Sequence, residues 1–300
     1  MPILNSAIQG IVSRRLGSAI RSHLVGFLKP ALTKELERSI PYVPYHSKLN
    51  SYAIFKVVSD CSRLDSFGLP IPPSNLWVGY GKTADEYLSS GRRHFKKMSS
   101  ILEESGYSFE NGNRILDFGC AAGRMIRQFN DLAYKCDIWG VDVNAERIVW
   151  CKQNLRPPFK FATTTMLPHL PFEDNFFDLI YAGSVFTHID DLADAWFLEL
   201  RRILHAGGLL YVTIHDNNTI DIVINKRAQD PALAQYEFSQ EAAESLTKPR
   251  FAMFTMDRSK GPHVFYDIDY LCETVKPFYR IVSITKEAYG YQTALLMQKR

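Results

Sequence analysis

Two rhythms of apolar positions alternate along most of this chain. Short apolar runs, RILDF from Arg114, DIWGVDV at 137–143, FKFATT at 159–164, FFDLIYAGS at 176–184 and GLLYVTI at 208–214, are compact enough to be strands. Between them apolar residues recur every three or four positions, which predicts helices over 123–134, 145–155 and 191–204, with Gly207 and Gly208 as a left-handed stop after the last. Strands separated by helices make a parallel, doubly wound α/β sheet. The tail breaks the rhythm. Residues 279–289 and 291–299 are strand-like runs joined at Gly290 with no helix between them, which predicts an antiparallel hairpin closing one edge of a mostly parallel, seven-stranded sheet. A helix over 268–278 leads into it. Residues 217–266 form an insert or lid, helical over 232–246 and then aromatic, basic and irregular; a connection that long usually has a task.

Upstream of the first strand, Thr83 and Glu86 have the spacing of a capping box, and a helix is predicted over 91–104. Residues 1–75 read as an N-terminal helical extension, and 76–300 as the main domain. In the extension, Leu4, Ile8, Ile11, Val12, Leu16, Ile20, Leu24, Phe27 and Leu28 give one apolar stripe, and Met1 to Pro30 holds four basic residues and no acidic one. Such a basic amphipathic helix can pack on the domain or on a second copy, lie on a membrane surface, or act as a targeting presequence. Five prolines between 41 and 73 break helices in the rest of the extension, apart from a possible helix over 51–63.

Composition adds exclusions. With 46% hydrophobic and 22% charged residues, a sizeable core is available. A net charge of +3 is small for 300 residues and disfavours nucleic acid as the default partner. Five scattered cysteines without a C-x-x-C pair suggest neither a disulfide framework nor a zinc site, and no run is apolar enough to span a bilayer. A cytoplasmic protein, peripheral to a membrane if residues 1–40 bind one, is the expectation.

The stretch RILDFGCAAGR, 114–124, carries the chemistry. A strand ends at Asp117 and Phe118, and the chain turns through Gly119, Cys120, Ala121, Ala122 and Gly123. Small residues let a ligand approach the backbone there. With GVDVN, LPFEDNFFDLIYAGSVFTHI and LRRILHAGGLLYVTIH in order behind it, the chain resembles the class I S-adenosylmethionine-dependent methyltransferases. SVFTHI and WFLELRRIL are similar, more narrowly, to a bacterial branch associated with glycan or secondary-metabolite modification. The resemblance implies S-adenosylmethionine as cofactor. It implies that Asp142 takes the ribose hydroxyls and that Thr164, Thr165 and Met166 lie by the adenine. Gly119, Cys120, Ala121, Gly123, Arg124, Val143 and Ser184 complete the expected cofactor set. Asp117 either attracts the cationic amino-acid end or braces the loop. A dinucleotide fingerprint is broken, because Ala121 and Arg124 stand where glycines would be required.

Acceptor chemistry belongs beyond the carboxyl ends of the fourth and fifth strands. His188 is the first candidate for general base, His215 the second, with Asp216 beside it, and His263 a third; each histidine could equally brace its loop. Tyr80, Arg92 and Arg93 could cover the carboxylate end of the cofactor or be solvated. The fourth strand lacks the Asn/Asp-Pro-Pro-aromatic signature of amino-group methylation of nucleic acids, since Ala182, Gly183, Ser184 and Val185 stand there. Asp190, Asp191 and Asp194 read as an acidic first helical turn, so no metal site is expected. These points favour methylation of an oxygen on a sugar, glycan or small metabolite. A protein or RNA acceptor, or a cofactor-binding scaffold without turnover, are the alternatives.

Overall fold

The computed structural model describes residues 63–300, apart from 157, 227–228, 231–232, 234–235, 237, 239, 247–250 and 257–260. The amphipathic stretch over 1–40 and the helix expected over 51–63 lie outside these residues, except for Arg63. A 3-10 turn at Ser74–Leu76 precedes α1 (Ala84–Glu104). Thr83 caps α1, its hydroxyl accepting from the Glu86 N–H at 3.2 Å, and the Glu86 carboxylate accepts from the Lys82 N–H at 2.7 Å. The helix thus starts at its capping box, seven residues before the expected start at Gly91. Gly91 is inside the helix because of what it faces: a Cβ there would lie 2.6 Å from the Arg124 carbonyl oxygen.

The sheet has seven strands in the order β3-β2-β1-β4-β5-β9-β8. Its parallel part is β1 (Arg114–Phe118), β2 (Asp137–Asp142), β3 (Lys160–Thr163), β4 (Phe177–Ala182) and β5 (Leu204–Ile214). β8 (Tyr279–Tyr289) and β9 (Gln292–Lys299) form the hairpin, β9 running antiparallel to β5. The expected class therefore holds, down to the turn at Gly290, whose φ is +64°. Ile115 and Leu116 face opposite sides of the sheet and both are fully buried, as an interior parallel strand requires. One side packs Ile115, Tyr181 and Tyr211 with Met98 and Phe129; the other packs Leu116, Ile180 and Leu210 with Phe186 and Trp196. Strand order reverses between β1 and β4, which opens the crevice where such sheets bind ligands.

The helices α2 (Ala145–Asn154), α3 (Ala193–Ile203) and α6 (Ile268–Val275) lie close to their expected places. Three local expectations are corrected. The helix expected over 123–134 is a 3-10 turn, Ile126–Phe129, within a run of tight turns. An amphipathic helix needs a solvent face, whereas Met125, Ile126, Arg127 and Phe129 are all buried. Gly207 and Gly208 do not stop a helix either: α3 ends at Ile203, Leu204 is already extended, and both glycines lie inside β5 where its register against β4 shifts. In the insert, of the helix expected over 232–246 the described residues show α5 (Gln240–Leu246), with Tyr236 and Phe238 outside any helix, and α4 (Asn217–Lys226) appears before it. The aromatic stretch contains a two-stranded sheet, β6 (Met253–Met256) against β7 (His263–Tyr266), anchored beside the end of β5 by a bridge between His215 and Phe265. The insert has its own small core around Ile220, Val223, Tyr236 and Phe265.

Candidate functional site

The turn after β1 is built by its backbone. The N–H groups of Gly119 and Cys120 both donate to the Val141 carbonyl, at 2.8 and 3.0 Å, and Gly123 N–H donates to the Cys120 carbonyl at 2.9 Å. Gly119, Ala121 and Gly123 have φ of +86°, +47° and +79°. Ala121 holds a left-handed conformation that costs a non-glycine residue about 1 kcal/mol. That conformation aims its N–H at Asp142 Oδ2, 2.9 Å away. At Gly119 a Cβ would meet the Val185 side chain at 2.4 Å, and at Gly123 the Leu155 side chain at 2.4 Å, so neither position has room for one. Cys120 is buried and faces Gly140, leaving only its backbone to the turn.

Two carboxylates flank this turn. Asp142, at the end of β2, accepts from Ala121 N–H with one oxygen and from Asn144 N–H with the other, at 2.7 Å. Each oxygen keeps a second lone pair. Burial pushes its carboxyl up, and those two N–H groups pull it back. Asp117 is 3% exposed and lies beside Tyr181 in the β1–β4 register. Burial pushes its carboxyl up to about 7, against the opposing pull of the Tyr181 hydroxyl and Arg124. Next to Asp142, Thr164 donates its N–H to the Asp142 carbonyl at 3.0 Å, and its hydroxyl is buried without a hydrogen-bond partner among the described residues. Val143 and Thr165 are half-buried and Met166 exposed along the same edge. Two carboxylates, a vacant buried hydroxyl and a turn closed to side chains fit a ligand with a cationic end and a hydroxylated ring.

Arg124 does not face this crevice as a free cation. Its guanidinium donates to the Tyr289 hydroxyl, to Ser90 Oγ at 3.3 Å and toward His94 Nδ1 at 3.0 Å, and its carbon lies 3.7 Å from the Tyr80 ring centre. His94 stacks on Tyr289 with ring centres 3.7 Å apart. Burial, with the Arg124 and Arg93 charges, holds His94 down to about 3. Arg92 and Arg93 are exposed on α1. Of the expected upstream group only Tyr80 turns inward. His94 and Tyr289 were not foreseen, although Tyr289 ends a strand already placed in the hairpin.

At the carboxyl ends of β4 and β5 the three candidate histidines come together. His188 is exposed, and its Nδ1 lies 2.8 Å from the Pro262 carbonyl. A carbonyl only accepts, so Nδ1 carries the hydrogen and the lone pair of the neutral ring is on Nε2. The ring centres of His188 and His263 are 5.6 Å apart, and those of His263 and His215 are 6.4 Å apart. β7 holds this arrangement, Val264 N–H donating to the Thr187 carbonyl at 2.9 Å and Tyr266 N–H to the His215 carbonyl at 2.8 Å. His215 is 1% exposed and bonds the Tyr236 hydroxyl through Nε2 at 3.3 Å; burial, then the His188 and His263 charges, bring it down to about 3. Asp216, next in sequence, accepts from Thr219 N–H at 3.1 Å instead of facing the histidines alone. Ser184 has φ of +60° and belongs to a closed network: its N–H donates to Thr213 Oγ1 at 2.7 Å, and Gln292 from β9 donates to its hydroxyl at 2.8 Å. Among the described residues no group of side chains could hold a metal ion, and no helix is long and apolar enough to cross a membrane.

A doubly wound sheet with a terminal hairpin, a tight turn after β1 and an acid at the end of β2 make up the Rossmann-like fold of methyltransferase domains whose cofactor is S-adenosylmethionine. Residues 116–212 match the family model described as a methyltransferase domain. The chain is similar to sterol 24-C-methyltransferase erg6 of Schizosaccharomyces pombe, 33% identical over 106 residues, 34% of this chain and 27% of that protein. It is also similar to malonyl-(acyl-carrier protein) O-methyltransferase of Legionella pneumophila, 28% identical over 136 residues, 45% of this chain and 47% of that one. The chain thus spans less than half the length of either curated relative. In fold it is similar to the PH0226 protein of Pyrococcus horikoshii OT3, at 16% identity and a TM-score of 0.50, over 69% of this chain and 91% of that one.

Proposed function

We propose that the whole chain is an active methyltransferase that uses S-adenosylmethionine to methylate a hydroxyl oxygen of a sugar, glycan or small metabolite. The cofactor supplies an electrophilic methyl group on a sulfonium. The residues that would hold it are Asp117, Asp142, Thr164 and the backbone from Gly119 to Gly123, with Val143, Thr165 and Met166 along the adenine edge. Asp117, once ionised, favours the cationic end. Asp142 offers its remaining lone pairs to the ribose hydroxyls. Arg124 and Ser184 act by holding neighbouring segments in place, Arg124 through Tyr289 and Ser184 through Gln292.

The observation that carries the acceptor reading is the group of His188, His263 and His215 at the ends of β4 and β5. Removing a proton from an attacking hydroxyl needs a base that presents an available lone pair. His188 meets that need through Nε2, while Pro262 fixes its tautomer and β7 its height above the sheet. His215 is buried and engaged by Tyr236, and acts as a neutral brace. The acceptors in the names of the two curated relatives differ, one a sterol and one an acyl-carrier conjugate, so the oxygen preference rests on this site.

Methyl-labelled cofactor offered to fractionated metabolites, glycans, protein and RNA tests the proposal, with label expected in the first two fractions. Label confined to protein or RNA would replace the acceptor class. For the base, His188→Ala is expected to lower turnover about a hundredfold or more with cofactor affinity unchanged; undiminished turnover removes His188 from that role.

A further inference from the structure

Arg127 is completely buried, the largest side chain so enclosed among the described residues. A guanidinium out of water is costly unless it is paired with a carboxylate and further hydrogen-bonded. Here Nη1 meets Asp65 Oδ2 at 2.9 Å, Nη2 donates to the Pro70 carbonyl at 3.0 Å, and Nε donates to the Gly123 carbonyl at 3.1 Å. The Asp65 side chain is only 2% exposed, and its second oxygen accepts from the N–H groups of Phe67 and Leu69, both at 2.9 Å. Around it, residues 63–71 close into a clasp. Leu64 bridges Pro70, Asp65 N–H donates to the Leu69 carbonyl at 2.9 Å, and Ile71 N–H donates to the Arg63 carbonyl at 3.0 Å. A single side chain therefore ties this clasp to the last glycine of the turn after β1.

Stability alone does not account for the arrangement, because well-packed apolar residues commonly replace a buried ion pair without loss. The arrangement does fix direction. The clasp and the turn are held by one planar fork, so neither can shift without breaking a charge-assisted bond. We propose that Arg127 and Asp65 are positioning residues for the cofactor turn, and that order in the clasp and occupancy of the turn are thermodynamically linked. The proposal rests on the S-adenosylmethionine reading of that turn. It also places the start of the working domain no later than Arg63, ahead of the boundary near residue 75 drawn from the prolines.

Linkage is reciprocal, so a ligand on the turn must steady the clasp. The experiment is hydrogen exchange on the full chain with and without S-adenosylhomocysteine, beside calorimetry of the same mixture. Binding with exchange across 63–71 slowed about fivefold or more is expected. Asp65→Asn keeps an acceptor for Phe67 and Leu69 but removes the charge; about tenfold weaker affinity and loss of the exchange response are expected, with partial recovery in Asp65→Glu. Should Asp65→Asn fail to fold, the wild-type exchange experiment decides. Binding that leaves exchange across 63–71 unchanged, or a folded Asp65→Asn with wild-type affinity, overturns the inference and leaves the cofactor reading standing. Absence of binding to both S-adenosylhomocysteine and S-adenosylmethionine overturns that reading and the inference with it.

Discussion

Asp117 is a carboxyl whose burial makes its ionised form costly to the ligand-free protein. In the folded chain it retains a proton up to about pH 7, whereas its ordinary value is 3.8. Its contribution to stability is therefore present below 3.8 and is lost as pH rises through 7. Asp117→Asn should raise the melting temperature of the ligand-free protein at pH 8 by about 5 °C, with the difference closing near pH 4, while weakening S-adenosylhomocysteine affinity about tenfold or more. Melting curves at both pH values with calorimetry check this, and a lower melting temperature at pH 8 would mean that the ionised group already has a sufficient partner. Wild-type affinity should strengthen as pH rises through 7. Ala121 teaches a related lesson. Its methyl group stood out in the sequence as a departure from glycine, and the reason glycine suits the position is the left-handed backbone that delivers an N–H to Asp142.

At the level of elements, local pattern was a good guide wherever burial is simple. β1, β2 and β4, apolar on both faces, and the β8–β9 hairpin stood out because nothing competes with their periodicity. The grouping of Asp117, Asp142 and Thr164 along one edge was legible for the same reason: they sit at strand ends, and strand ends are readable. What was not legible depends on contacts between distant segments. Arg127 carries no signal in the sequence, because its partners Asp65 and Pro70 are brought to it only by the fold. His94 reads as solvated beside Arg92 and Arg93, and β6–β7 reads as a loop until Phe254 meets Phe265. Gly91 shows the limits of propensity. Alanine would favour α1 by about 1 kcal/mol, but its Cβ would lie 2.6 Å from the Arg124 carbonyl oxygen, backbone that cannot move freely. Overpacking of that kind costs about 1–3 kcal/mol, so Gly91→Ala should lower the denaturant midpoint with an unchanged slope, and a raised midpoint would show that α1 shifts to admit the methyl.

For the molecule as a whole, buried His215 works against stability on the acid side. His215 falls from 6.5 to about 3 on folding, so the unfolded chain takes up a proton between those values that the folded chain refuses. Stability associated with His215 is complete above 6.5 and declines as pH falls toward 3. The raised carboxyls of Asp117 and Asp142 act in the opposite sense, which makes a difference measurement the clear one. Between pH 7 and pH 5, His215→Gln should gain about 2 kcal/mol relative to wild type, read from urea unfolding at both values; a constant difference would mean that His215 titrates normally in the folded protein. The hairpin has a consequence of another kind. Tyr289 receives the Arg124 guanidinium, and Gln292 joins Ser184 to Thr213, so residues from the far end of the chain complete a crevice whose first wall is β1. During synthesis on the ribosome, a chain that has reached β5 already contains both carboxylates and the glycine turn, yet its buried Arg124 still lacks the Tyr289 hydroxyl and its sheet edge is bare. The crevice is finished only after residue 292 has emerged, and the growing chain must keep that edge from other strands until then.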